Sequence, residues 1–122
     1  MPMTIETHQL NDSRIAEVIS DDPVIKTAED GLYLLGNLYY QDFDSIIIHE
    51  KNIIPDFFDL KTGIAGEILQ KFSNYRMRLA IVGDFSHYTG KSINDFMFES
   101  NKAGQINFVK SSADALTKLS TR

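Results

Sequence analysis

The sequence contains no cysteine. That removes disulfides, thiol nucleophiles and cysteine-based metal sites, and it fits a reducing compartment such as the cytoplasm. An excess of positive charge is also missing: 12 Lys and Arg stand against 17 Asp and Glu, a net charge of −5. An acidic chain with no basic stripe is poorly matched to nucleic acid or to an anionic membrane surface. No apolar run approaches the roughly 20 residues that cross a bilayer. The opening Met1-Pro2-Met3-Thr4 carries no basic segment followed by an apolar one, so no secretory leader is expected. Internal repeats, linkers and low-complexity tracts are absent too. The expectation is one cytoplasmic domain over residues 1–122, with no membrane and no nucleic acid as partners.

What is present suffices for a core. A chain of 122 residues suits one domain, which buries about two thirds of its unfolded surface. Aromatic residues are plentiful, with 8 phenylalanines among them.

Along the chain, Thr4 to Leu10 and Arg14 to Ile19 alternate around the turn residues Asn11-Asp12-Ser13, which predicts an N-terminal hairpin. Thr27-Ala28-Glu29-Asp30 resembles a capping box, and opens a helix whose inner face is expected at Ala28, Leu32, Leu35 and Tyr39. Asp44 to Glu50 reads as a buried strand of β-branched residues. Ile64, Ala65, Ile68, Leu69 and Phe72 share one face of a second helix, with Thr62 as its expected N-cap and Asn74 closing it. Gly31, Gly36, Gly63 and Gly66 suggest close approach of neighbouring segments. Leu79-Ala80-Ile81-Val82 reads as a strand covered on both faces. A third helix from about Ser92 buries Ile93, Phe96 and Met97 and ends at Gly104. Gln105 to Lys110 alternates as a strand, and Ser111 to Asp114 caps a last helix burying Ala115, Leu116 and Leu119. The order β-β-α-β-α-β-α-β-α predicts an α/β fold with a mixed five-stranded sheet.

Three places could carry chemistry. The helix start at Thr62-Gly63 offers unpaired N–H groups to an anion or a phosphorylated hydroxyl; the plainer reading is that Thr62 only caps, with Asp59 assisting the dipole, and Asp56 and Asp59 would repel a second anion. The C-terminal ends of the strands gather His49 and Glu50, then Asp84, Ser86 and His87, then Lys110 and Ser111, where open α/β sheets bind ligands. From these, His49, Asp84, Ser86 and His87 are the candidate set for a small hydrolase or ligand-binding enzyme. Gly83 to Ser92 invites a phosphate-loop reading through Lys91 and Ser92, but Phe85 stands where a glycine is required. His8, His49 and His87 show no short-range ligand spacing, so no metal and no cofactor are expected, and His8 is placed on an exposed hairpin. Phe43 and Phe58 are assigned to the core; Phe57, Tyr39 and Tyr40 are open between core and an exposed protein-binding patch.

The element order and the run Phe57-Phe58-Asp59-Leu60-Lys61-Thr62-Gly63-Ile64 resemble the STAS domain (sulphate transporter and anti-sigma factor antagonist), whose turn reads approximately Phe-x-Asp-Ser-Ser-Gly-Leu-Gly. In this chain leucine and lysine stand where the serines would, one extra residue separates Asp59 from Gly63, and only Thr62 keeps a hydroxyl. The longer pattern, from Phe57 through Gly66-Glu67-Ile68 and Arg78 to Phe85, with Glu99-Ser100-Asn101, is similar to a bacterial domain family of unknown function. The resemblance implies a STAS-like regulatory module that meets a protein partner, or a second copy of itself, around Asp56, Phe57, Asp59, Lys61, Thr62 and Gly63, with Thr62 as a phosphorylation site.

Overall fold

A computed structural model describes residues 3–121. Strands β1 (Thr4–Leu10) and β2 (Ser13–Ile19) form an antiparallel hairpin, with Thr4 opposite Ile19 and Leu10 opposite Ser13. The turn between them is two residues long. Asn11 and Asp12 both have positive φ, 48° and 67°, which a tight hairpin turn of the primed type requires and which Asn and Asp tolerate.

Helix α1 (Ala28–Tyr40) follows, then β3 (Ser45–His49), α2 (Ile64–Tyr75), β4 (Arg78–Val82), α3 (Lys91–Ala103), β5 (Ile106–Val109) and α4 (Ser112–Ser120). The sheet runs β1-β2-β3-β4-β5, and every pairing after the hairpin is parallel. The expected mixed five-stranded sheet and its element order are what the chain adopts.

Side-chain alternation along the strands sends one set to each face. Ala16, Val18, Ile46, Ile48, Leu79, Ile81, Ile106 and Phe108 join residues of α1, α2 and α3 in the larger core. Ile15, Ile47, Ala80 and Val82 meet Ala115 and Leu119 of α4 on the other face.

The caps follow local chemistry. Thr27 Oγ1 accepts from the Asp30 amide at 3.2 Å, and the Asp30 carboxylate accepts from the Thr27 amide at 3.2 Å, which completes the capping box. Ser111 Oγ accepts from the Asp114 amide at the start of α4. Gly104 ends α3 with φ 86°, a left-handed cap.

Some expectations are corrected. The buried face of α1 is Gly31, Leu34, Leu35 and Leu38, while Tyr39 is exposed. Gly31 permits close approach on this face, because a Cβ there would lie 2.8 Å from Ile68 Cδ1 of α2. Gly36 and Gly66 have nothing within 4 Å of such a Cβ, so no close approach explains them. Helix α2 continues past Asn74 to Tyr75 and ends at Arg76 in the left-handed region. Phe96 and Leu116 are half-buried on their helices.

Candidate functional site

Between β3 and α2 the chain makes three short 3₁₀ turns, Glu50–Asn52, Pro55–Phe58 and Leu60–Thr62. Asn52, fully buried, fastens the first of them to the segment after β2: its Nδ2 donates to the Ser20 and Asp22 carbonyls at 2.8 and 2.9 Å. Phe57 and Phe58 point into the core at 0% and 6% exposure. Phe57 is therefore an anchor of the turn and has no surface to offer a partner, contrary to its place in the expected contact set.

Asp56, Asp59, Lys61 and Thr62 are exposed and Gly63 is half-buried. Thr62 does not begin the helix. Its Oγ1 lies within donating distance of the Asp56 and Asp59 carbonyls, 2.8 and 2.9 Å, and accepts from the Ile64 amide at 3.3 Å. Gly63, with φ 79°, is the N-cap and supplies no side-chain bond. The left-handed conformation is inexpensive only for glycine; it pushes the helix start one residue beyond the threonine.

The strand-end residues do not assemble as a nucleophilic site. Ser86 donates from Oγ and from its amide to Asp84 Oδ1, at 2.6 and 3.0 Å. The Ser86 hydroxyl, then its amide, hold the Asp84 carboxyl below its ordinary value. His87 turns to Glu50, Nε2 to Oε2 at 3.4 Å, and rests on the Tyr88 ring. His49 turns to Glu17. Ser86 is thus bonded to a carboxylate held below its ordinary value, a weak base for a hydroxyl, and to no imidazole among the described residues. Lys91 pairs with Asp95 along the surface of α3, and α3 starts at Gly90 without a side-chain cap.

The acid that gathers partners is Glu17, absent from the candidate set. It is 6% exposed. Its Oε1 lies 2.9 Å from His8 Nε2, and its Oε2 lies 2.8 Å from His49 Nε2 and 3.1 Å from Ser112 Oγ at the start of α4. Register explains the convergence. Glu6 is opposite Glu17 and His8 opposite Ile15, so both β1 residues share Glu17's face. In the parallel pairing Glu17 is opposite Ile47, and His49 follows two residues on, again on that face. Burial pushes the carboxyl up, but hydrogen bonds from His49, His8 and Ser112 outweigh it and leave Glu17 below its ordinary value.

Glu6 Oε1 is 3.8 Å from His8 Nε2. One donor atom each from Glu6, His8 and Glu17 lies within 4.8 Å of the others, a set able to hold a metal ion. His8 is therefore no isolated surface imidazole. The signal in the sequence was a charged residue inside the apolar strand Ile15-Ala16-Glu17-Val18-Ile19; its partners lie 9, 32 and 95 positions away.

A second glutamate behaves similarly. Tyr88 Oη donates to Glu50 Oε2 at 3.2 Å, and Gly83 gives Glu50 its room, since a Cβ would sit 2.5 Å from Oε1. Burial, then the Glu50 charge and this bond, push the Tyr88 phenol up to about 12. At the far ends of α1 and α2, Tyr39 meets Tyr40 and Tyr75 edge to face, with centroids 5.7 and 5.0 Å apart. Tyr40 is 82% exposed. Among the described residues no helix is long and apolar enough to cross a membrane.

A family model described as "Domain of unknown function (DUF4180)" covers residues 10–119. No curated protein and no solved structure matches. The chain belongs to this family of uncharacterised domains.

Proposed function

We propose that the domain is a cytoplasmic, STAS-like regulatory module that docks on a protein partner through the outward rim of the 56–63 turn. The supporting observation is the construction of that turn. Asp56, Asp59, Lys61 and Thr62 face water on a backbone anchored by buried Phe57 and Phe58 and tied by the Thr62 hydroxyl. A surface fixed before contact loses less entropy on binding than a mobile loop. The Thr62 hydroxyl supplies the regulatory element. Phosphorylation would remove its donated hydrogen and set a dianion beside Asp56 and Asp59, opening the turn.

The test is a photo-crosslinking residue at position 61, compared with one at exposed Thr117 on α4. A discrete adduct with another protein at 61, absent at 117 and lost in Thr62→Glu, is the expected result. Equal adducts at both positions, or none at 61, would overturn the reading.

A second contact face is favoured by one observation: Tyr39 meets both Tyr40 and Tyr75 edge to face while all three remain exposed. Tyrosine is enriched at the centres of protein interfaces. Tyr40→Ala that abolishes complex formation while the turn variants leave it intact would move the contact to that end. The enzyme reading, with His49, Asp84, Ser86 and His87, finds less support, since Ser86 is bonded to Asp84 and the imidazoles to glutamates.

A further inference from the structure

We propose that Glu6, His8 and Glu17 form a binding site for a first-row divalent transition metal of the zinc class. The site lies at the hairpin side of the sheet face that carries α4. On that side Glu6 and Leu10 of β1 and Ile19 of β2 stay exposed, so an ion has a path from solvent.

The donor chemistry selects the ion. One imidazole nitrogen with two carboxylate oxygens is a nitrogen–oxygen set, suited to zinc and its neighbours rather than to soft copper(I), or to magnesium and calcium, which favour oxygen alone. Distances fit as well. Ligand atoms about 2.0–2.2 Å from a tetrahedral zinc stand roughly 3.3–3.6 Å from one another. His8 Nε2 is 2.9 Å from Glu17 Oε1 and 3.8 Å from Glu6 Oε1. Small rotations therefore bring the three atoms to ligand spacing, and Glu6, with a 61% exposed side chain, is free to make them. Three protein ligands leave the fourth position for water.

The surroundings hold the central ligand in place. His49 and Ser112 bond the second oxygen of Glu17 and orient the first toward His8, as outer partners commonly fix a ligating carboxylate. Glu17 lies between Ile15 and Ile19 in sequence and opposite Ile47. At such a position an apolar residue would stabilise the fold at least as well as a buried charge. A carboxylate flanked by imidazoles from both neighbouring strands instead has the composition of a ligand set.

The experiment is calorimetric titration of untagged, chelator-stripped protein with zinc chloride and, separately, with magnesium chloride. One zinc per chain, no magnesium binding, and affinity weakened about tenfold or more in both His8→Ala and Glu6→Gln is the expected result. Both positions are on the edge strand, and a thermal melt without metal confirms that each variant folds. His87→Ala, far along the chain and bonded to Glu50, should bind as the parent does. Absence of stoichiometric zinc binding, equal binding by parent and His8→Ala, or loss in His87→Ala alone would overturn the site.

Discussion

The two faces of the sheet bury different things. Beneath α1, α2 and α3 the buried strand residues are all apolar: Ala16, Val18, Ile46, Ile48, Leu79, Ile81, Ile106 and Phe108. Beneath and beside α4 the same strands bury Ser13, Glu17, Ser45 and Asn107 among their apolar neighbours. The three-helix face is a packing surface, where stability tracks volume and fit. The α4 face carries hydrogen-bonded polar groups, whose contribution depends on partners and on pH. The contrast teaches where each kind of substitution should act.

The largest effect belongs to the packing side. Phe57, fully buried, packs edge to face on Phe58 with centroids 5.0 Å apart. Phe57→Ala should lower stability by about 3–5 kcal/mol, read as an earlier urea midpoint with an unchanged slope. A loss below about 1 kcal/mol would mean that Phe57 is not a core anchor and that the turn rests on something else.

Fit matters next. Gly31→Ala forces a Cβ to 2.8 Å from Ile68 Cδ1, and overpacking of this kind costs about 1–3 kcal/mol. Gly36→Ala, in the same helix with nothing nearby, should do the reverse and gain about 0.5–1 kcal/mol. Thermal melts of the pair decide the matter; equal shifts of one sign would show that the α1–α2 contact is not as close as described.

On the polar side, Glu17→Gln should cost about 1–3 kcal/mol near neutral pH, because charged hydrogen bonds to His8, His49 and Ser112 are weakened. The sign with pH follows from its lowered folded value. The contribution is complete above the ordinary value of 4.5 and fades as pH falls through the folded one. Urea melts from about pH 6 to about pH 3 should therefore show parent and variant converging. Parallel curves would remove Glu17 from the pH dependence.

The same contrast separates what was legible in the sequence from what was not. The packing side announces itself through short-range pattern. Ile46 and Ile48, and Leu79 and Ile81, sit in apolar runs too short for a helix and bounded by polar flanks, and Thr27 with Asp30 marks a helix start within four residues. The inner stripe of helix α1 is ambiguous because Leu32 and Tyr39 compete with Leu34 and Leu38 for it, and Gly31 has no hydrophobicity with which to decide it. Thr62 stands one residue before the N-cap because its hydroxyl serves the preceding turn. Of the Glu17 cluster the sequence shows only a charge inside an apolar strand, and none of its partners. It is assembled by register between three strands and the tip of α4, and register is a property of the folded sheet rather than of any local run.

The smallest effect sharpens the comparison on the packing side, where Tyr88 lies partly buried against the larger core and burial and charge act together on one phenol. Tyr88 is raised to about 12 by burial first, and then by the Glu50 charge and bond. A spectrophotometric titration of the five tyrosines should show Tyr88 as a late component. Glu50→Gln removes the charge and leaves burial, so that component should move down without reaching the ordinary phenol value of 10.0. The sign for stability is fixed by the same shift. A phenol whose folded value is raised stabilises fully below the unfolded value and ceases to as pH climbs through about 12. An unmoved late component in Glu50→Gln would leave burial as the sole cause; its complete return to 10.0 would make Glu50 the sole cause, and the Tyr88 ring would then have to be wetter than its packing against Phe58 implies.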